Sequence, residues 1–216
     1  MKKNIILMGP PGAGKGTLAT VLKDELQLVH ISTGDMFREA IKKGTELGKE
    51  AKRYMDAGDL VPDQVTIGLV KERLSQDDCQ NGFLLDGFPR TLVQAEALSE
   101  LTKEINRPIE VVINLDCDQS ELITRISGRR VCPNCGAPYH ITNMKPKKEG
   151  ICDLCGTELI QRRDDNEEAL KVRLQHYVSD TKPLLNYYEE QGLLKTFDSL
   201  VGIERLFDEV KHYLDQ

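Results

Sequence analysis

A glycine-rich segment with one lysine offers the clearest chemistry in this sequence. It runs Gly9-Pro-Pro-Gly-Ala-Gly-Lys15-Gly-Thr17, between the apolar run Asn4–Met8 and a helical pattern. Glycines let backbone amides curl around an anion, the start of a helix adds unpaired amides, and the lysine adds a mobile positive charge. Glycine-rich turns also arise by chance, but here strand, glycines, lysine and helix follow in the required order. The segment therefore predicts a phosphate-binding loop, although Gly16 stands where Ser or Thr commonly follows the lysine.

Four cysteines in two pairs form the second chemical pattern. Cys132-Pro-Asn-Cys135-Gly and Cys152-Asp-Leu-Cys155-Gly have the spacing of a tetrahedral zinc site. Four thiolates would complete the coordination of the metal, so we expect a structural rather than a catalytic zinc ion. A redox disulfide, an iron–sulfur cluster and a ribbon that touches nucleic acid are the alternatives. The remaining cysteines, Cys79 and Cys117, are expected to be buried or half-buried thiols.

Six arginines fall at predicted strand ends, segment edges or hinges. They are Arg38, Arg90, Arg125, Arg129, Arg162 and Arg173. Any one of them could form an ordinary surface ion pair. Arginine is, however, suited to two-point recognition of phosphate. Six arginines are more than one triphosphate needs, so we expect a second phosphorylated ligand.

This combination of groups indicates phosphoryl transfer. Such chemistry needs alignment and neutralisation of charge, and an acceptor that is itself a phosphate needs no general base. Asp86, at the tip of a predicted strand, is expected to orient Mg²⁺ on the donor phosphates through coordinated waters.

The elements that position these residues alternate between short apolar runs and amphipathic helical patterns. This alternation predicts an α/β fold, a doubly wound sheet of five parallel strands, which binds ligands beyond the carboxyl ends of its strands. The predicted strands are Asn4–Met8, Leu28–Ile31, Phe83–Leu85, Val111–Leu115 and Leu194–Phe197. Two segments break the rhythm and are expected to be insertions at the ligand-binding edge, namely 32–61 and 128–165. The core domain would then comprise 1–31, 62–127 and 166–216.

A helix is predicted after the fourth strand. Asp118 and Glu121 are expected to form a capping box at its start, and its apolar face is expected to consist of Leu122, Ile123 and Ile126. Arg125 and Arg129 are four residues apart, so both are expected to point at one anion.

Composition narrows the class of protein. The chain has 216 residues and a formal net charge of −6, which argues weakly against a nucleic-acid surface. No apolar run approaches the roughly 20 residues of a membrane span, and the run after Met1 is too short for a signal peptide, so we expect a cytoplasmic protein. The histidines lack metal-ligand neighbours and are expected to be packing or surface residues: His30, His140, His176 and His212.

Together these motifs resemble the adenylate kinase family, in the long bacterial form whose lid carries zinc. The resemblance rests on Gly9–Thr17, Ser32-Thr-Gly-Asp-Met-Phe-Arg38, Leu85-Asp-Gly-Phe-Pro-Arg-Thr91, Gln94, Gly128-Arg-Arg130, the four paired cysteines, Arg162-Arg-Asp-Asp165 and Arg173. It extends from residue 4 to about residue 201. Lys-Gly-Thr is the family's own form of the loop, which accounts for Gly16.

The resemblance implies the reaction MgATP + AMP ⇌ MgADP + ADP, with residues 32–61 closing over AMP and 128–165 over ATP. It implies contacts to AMP from Thr33, Arg38, Asp59, Leu60, Val61, Gly87, Phe88, Pro89, Arg90, Gln94, Arg162 and Arg173, with Gln94 reading the adenine edge. It implies contacts to ATP from Gly12, Ala13, Gly14, Lys15, Gly16, Thr17, Arg129, Pro138, Tyr139 and the backbone near Val201. The residues implied around the transferred phosphoryl group are Lys15, Arg38, Arg90, Arg125, Arg129, Arg162 and Arg173.

Rival functions differ in substrate or in class. A kinase for UMP, CMP or GMP is possible, although Gln94 and the long lid favour AMP. A nucleotide-gated regulator that binds RNA or DNA is disfavoured by the acidic charge, and a GTPase switch by the lack of an Asn-Lys-x-Asp segment. We expect a monomer, because closing segments on both sides of a core must move freely.

Overall fold

Five parallel strands form the central sheet in the order β2-β3-β1-β4-β7. The computed structural model describes residues 1–216, apart from the side chain of Gln119. The strands of this sheet are β1 (Asn4–Met8), β2 (Val29–Ser32), β3 (Phe83–Asp86), β4 (Val111–Asp116) and β7 (Leu194–Asp198). The predicted fold class is confirmed, and each predicted strand is recovered to within one residue at either end.

The register of the sheet brings the predicted chemistry to one edge. Asp86 at the end of β3 lies opposite Leu7 of β1 on one side and Ser32 of β2 on the other. The glycine loop follows β1 directly, so the loop, Asp86 and the start of the first inserted segment (32–61) meet at the carboxyl ends of the strands. Continuous apolar runs suit these strands, because helices cover both faces of a parallel sheet.

Nine α-helices surround the sheet and the inserted segments. They are α1 (Lys15–Leu26), α2 (Thr33–Lys43), α3 (Glu46–Ala57), α4 (Asp63–Leu74), α5 (Leu92–Glu104), α6 (Gln119–Ser127), α7 (Glu167–His176), α8 (Leu184–Glu190) and α9 (Ile203–Leu214). Asp118 caps α6 as predicted, accepting a hydrogen bond from the Ser120 N–H. Ile123 is 53% exposed, so its predicted burial was wrong. Within the described part of the chain, none of the helices has both the length and the apolar character needed to cross a bilayer.

Helices α2 and α3 form a small packed unit after β2. A side chain at Gly48 would place its Cβ 2.2 Å from the carbonyl oxygen of Ala40, so the close approach of the two helices requires glycine. Phe37, Ala51 and Val61 form the buried centre of this unit. Its packing holds residues 59–61 against the edge of the sheet where the ligand site was predicted.

The second interruption forms a separate antiparallel hairpin. Its strands are β5 (Arg129–Val131) and β6 (Pro138–His140), and Val131 also bridges to Ile160. The buried residues of this unit include two cysteines, Cys132 and Cys152. A unit with so small an apolar centre needs another source of stability, such as a metal.

Candidate active site

The glycine loop ends in a helix start that is open to an anion. Gly12 and Gly14 have φ angles of 90° and 96°, which residues with a side chain rarely adopt. Gly14 caps α1 without any side-chain hydrogen bond, so the first amides of that helix are left for a ligand. Ala13 is buried beneath the loop, whereas Gly16 is exposed and Thr17 is half-buried.

The ammonium group of Lys15 is held inside this loop. Its Nζ donates to the carbonyl oxygens of Gly9 at 2.7 Å and Pro10 at 2.9 Å. Burial is the main cause that lowers the pKa of Lys15 to about 8, and the charge of Asp86 opposes that shift. A phosphate group would restore a favourable environment for the charged form.

Asp86 lies between the loop and β2. A Cβ at Gly16 would come 3.8 Å from its Oδ2, and the Nε2 of His30 lies 3.6 Å from the same oxygen. Burial, the largest effect, would raise the pKa of Asp86, but the neighbouring His30 ring and the charge of Lys15 outweigh it and hold the pKa below its usual value. A single ionised carboxylate fits Mg²⁺ that keeps most of its waters.

Five of the six predicted arginines gather around this point. They are Arg38, Arg90, Arg129, Arg162 and Arg173. Burial is the main cause that lowers the pKa of both Arg162 and Arg173 to about 10, and neighbouring arginines add to the effect. Crowded, partly dehydrated cations of this kind form a binding site for highly charged anions.

Three aspartates pair with these arginines, and sequence reasoning gave them no role. Asp165 accepts from Arg129 at two points, Asp164 lies 3.1 Å from Arg173 Nη1, and Asp35 lies 2.7 Å from Arg38 Nη2 and 3.4 Å from Arg162 Nη2. The contact between Asp35 and Arg162 joins the α2–α3 unit to the cysteine-bearing segment. For two of these aspartates the sequence did contain a signal: the pair Asp164-Asp165 directly follows two arginines, which indicates local pairing of charges.

Arg125 lies beside the phosphate loop, where a Cβ at Gly14 would come 3.9 Å from its Nη1. Its guanidinium donates to the Ser199 carbonyl oxygen at 3.1 Å and lies 3.5 Å from the Ala13 carbonyl oxygen. Arg129 bonds instead to Asp165. That Arg125 and Arg129 point at one anion stays a prediction.

A cavity with about 380 Å³ of empty space opens beside the arginines. Its lining residues are Thr33, Gly34, Phe37, Met55, Asp59, Leu60, Val61, Thr66, Gly87, Arg90 and Gln94. The Thr33 hydroxyl donates to the Gly87 carbonyl oxygen at 2.9 Å and so ties α2 to the end of β3. Phe88 and Pro89 do not line this cavity: both are buried, and Phe88 packs in the core under the sheet edge.

The four paired cysteines converge as the zinc prediction requires. Their sulfur atoms all lie within 4.8 Å of one another, with separations of 3.4 Å for Cys132–Cys155 and 3.5 Å for Cys135–Cys152. Zinc–sulfur bonds of about 2.3 Å give tetrahedral edges of about 3.8 Å, so the quartet fits a zinc ion. Gly136 and Gly156 adopt φ angles of 76° and 73° in the turns after the two pairs.

Three further residues were predicted to contact ATP, namely Pro138, Tyr139 and Val201. The Tyr139 hydroxyl accepts from the Asp153 N–H at 2.8 Å and lies 3.5 Å from the Cys152 sulfur, so this side chain is buried in the cysteine unit. Any contact from Tyr139 to a nucleotide is then left to its backbone. Pro138 precedes it in β6 and is half-buried, and Val201 packs partly against the core near Ser199.

The sheet order, the loop after the first strand and the gathered arginines define a P-loop phosphotransferase with the nucleoside monophosphate kinase fold. Residues 7–193 match the pattern of the family described as Adenylate kinase.

Similarity to individual proteins extends over nearly the whole chain. An adenylate kinase of a Geobacillus species is 55% identical over 211 residues, which cover 98% of each protein. Those of Methanosarcina barkeri and Staphylococcus aureus are 54% and 53% identical and cover 98% of this chain. The chain therefore belongs to the adenylate kinase family.

Proposed function

We propose that the protein transfers the terminal phosphoryl group of MgATP to AMP and gives two molecules of ADP. The observation that carries this proposal is the group of five arginines and Lys15, which lies between a phosphate-binding loop and a separate cavity lined by Arg90 and Gln94. Cations on two sides of one point suit a donor phosphate and an acceptor phosphate that face each other.

ATP is proposed to bind along the glycine loop. The loop and helix amides of Gly12–Thr17 would surround its phosphates, together with Lys15 and Arg129. The backbone of Pro138 and Tyr139 and the backbone near Val201 would contact the remainder of ATP. Arg125 reaches the Ala13 carbonyl oxygen of the loop as well as Ser199, so we assign it to the phosphates of ATP near the transferred phosphoryl group.

AMP is proposed to bind in the cavity beside the arginines. Thr33, Asp59, Leu60, Val61, Gly87 and Gln94 line it, and Arg38, Arg90, Arg162 and Arg173 would bind its phosphate. Phe88 and Pro89 contribute from below, because their burial fixes the turn that presents Gly87 and Arg90.

Transfer begins when an AMP phosphate oxygen attacks the terminal phosphorus of ATP. One phosphorus–oxygen bond forms, the bond to the bridging oxygen breaks, and ADP leaves with the bonding electrons. The attacking oxygen is already anionic, so no residue has to remove a proton. Lys15 and the arginines offset the charge that shifts between the two phosphates. Asp86 would hold Mg²⁺ on the donor phosphates, and the bound ion would supply further neutralisation of charge.

The two inserted segments are proposed to close over the substrates, 32–61 over AMP and 128–165 over ATP. Closure would exclude water, which otherwise hydrolyses ATP, and would complete the arginine group only when both nucleotides are bound. Residues 1–31, 62–127 and 166–216 form the core in this division. The zinc ion in the second segment would stabilise that segment and take no part in the chemistry.

The protein is proposed to act as a cytoplasmic monomer on small-molecule substrates. Neither nucleic acid nor a membrane is part of the proposed function. Cysteines held as metal thiolates and free thiols suit a reducing compartment.

The experiment that tests this function compares AMP, UMP, CMP and GMP as acceptors at fixed MgATP in a coupled assay for ADP. We expect kcat/KM for AMP to exceed that for the other three. A higher value for another monophosphate would contradict AMP as the substrate.

A further inference from the structure

A carboxylate that belongs to none of the sites above holds the amide of Gln94. Asp63 is the first residue of α4, and its Oδ1 accepts from Gln94 Nε2 at 2.7 Å and from the Thr91 hydroxyl at 3.0 Å. On the other side of the amide, Gln94 Oε1 accepts from the Arg90 N–H at 2.8 Å. Gln94 is 2% exposed and lines the proposed AMP cavity.

These partners allow the amide only one orientation. A carboxylate offers no hydrogen, and a backbone N–H offers no lone pair. If the amide of Gln94 turned over, its oxygen would face Asp63 and its NH₂ group would face the Arg90 N–H. Both contacts would be repulsive inside a buried site, where unsatisfied polar groups are costly. The nitrogen of Gln94 is therefore fixed toward Asp63 and its oxygen toward Arg90.

The fixed amide keeps one N–H and one oxygen lone pair for a ligand. The corresponding edge of adenine offers an acceptor at N1 and a donor at its 6-amino group, which match these two free positions. A 6-oxopurine such as hypoxanthine or guanine reverses both positions: it has a donor at N1 and an acceptor at O6. To bind a 6-oxopurine in the same place, the amide would have to turn over.

We infer that Asp63 is a positioning residue that determines the choice between 6-aminopurine and 6-oxopurine monophosphates. It acts through Gln94 and does not itself touch the nucleotide. The inference rests on the proposed function, in which Gln94 faces the base of the acceptor nucleotide. Selectivity here comes from unpaired polar groups in the wrong complex, which discriminate more strongly than shape alone.

The test compares AMP with IMP as acceptor in the wild-type protein and in Asp63→Asn. The asparagine side chain has the same shape but can present either N–H or oxygen to Gln94, so one of the two contacts that fix the amide is lost and the reversed orientation costs less than in the wild type. We expect the ratio of kcat/KM for AMP to that for IMP to fall by at least about tenfold, through opposite changes in the two KM values. The kcat for AMP should change much less.

A second variant and a control separate this role from a general structural one. Asp63→Ser keeps a residue type that suits a helix start and should lower the same ratio. Glu46→Gln removes a first-turn acid from the adjacent helix α3 and should leave the ratio unchanged.

Failure of the proposed function and failure of this inference would give different results. A wild-type protein that does not phosphorylate AMP would contradict the proposed function. A wild-type protein that does so, with an unchanged AMP-to-IMP ratio in both Asp63 variants, would overturn this inference alone.

Discussion

Arg129 and Asp165 form a two-point ion pair across the base of the cysteine-bearing segment. The carboxylate of Asp165 has no exposed surface, and Arg129 is 23% exposed. The pair joins the first residue of β5 to a residue that directly precedes the N-cap of α7, so it closes the segment and orients Arg129 toward the phosphate site. Asp165 also lies 3.7 Å from Arg173 and thereby links two of the predicted phosphoryl-binding residues.

Replacement of this carboxylate should destabilise the folded protein. In Asp165→Asn, Arg129 and Arg173 keep their charges but lose a buried partner. We expect the free energy of unfolding to fall by about 3 kcal/mol, the lower end for a broken buried pair, because Arg129 is partly exposed. Chemical denaturation measures this value. Glu149→Gln, at an exposed carboxylate of the same segment, should change it by less than about 0.5 kcal/mol. Equal stability of the two variants would show that the ion pair does not hold the segment.

Loss of the loop ammonium should abolish catalysis while the fold is kept. Lys15→Met removes a charge that burial disfavours, so the stability of the fold should not fall. The variant lacks, however, the cation proposed to lie closest to the phosphoryl group as its charge shifts during transfer. We expect kcat to decrease at least about 100-fold, measured beside a melting curve. Lys42→Met, at an exposed lysine of α2, serves as the control. A Lys15→Met variant with most of its turnover would contradict the proposed role of the loop.

Affinity for ATP should depend on pH through Lys15. Its pKa in the free protein is lowered to about 8. Bound phosphates favour the ammonium form, so ATP binding takes up a proton above that pH, and affinity falls as pH rises by up to about tenfold per pH unit. Calorimetric titration of ATP between pH 7 and 9.5 measures this slope. Lys15→Arg, whose charge persists over this range, should show a much flatter profile; identical slopes would refute the assignment.

Removal of zinc should lower the stability of the cysteine-bearing segment but not the rate of phosphoryl transfer. Cys135→Ser, or a strong chelator, should lower the melting temperature and increase proteolysis or hydrogen exchange within residues 128–165. Turnover at low temperature should change little, because the four sulfur atoms contact one another and Tyr139 rather than Lys15 or the phosphate-binding arginines. Cys117→Ser, at a half-buried thiol outside the quartet, is the matched control. Metal analysis that finds no zinc, with an unchanged melting profile, would contradict a structural metal.

Much of this site was predictable because its signals are local in sequence. The phosphate loop is a continuous strand, turn and helix start, and the zinc site is two short units with a fixed internal spacing. Each depends on the residue types of a few neighbouring positions, so the sequence alone was sufficient to predict the strands, the loop and the metal.

Other features depend on contacts between distant parts of the chain. Asp63 meets Gln94 only after α4 and α5 pack together, and Asp35 meets Arg162 only when the two inserted segments approach each other. The contact between Arg125 and Ser199 was missed for the same reason, since Ser199 follows the last strand of the sheet. Spacing along one helix could not reveal these partners.

The most direct test of phosphoryl transfer from ATP to AMP is the stoichiometry of the reaction, followed by ³¹P NMR with MgATP and AMP. We predict that ATP and AMP disappear in equal amounts, that ADP appears at twice that amount, and that the same equilibrium is reached from MgADP with ADP. Release of inorganic phosphate in step with ATP loss, or consumption of ATP that does not require AMP, would contradict the proposed function.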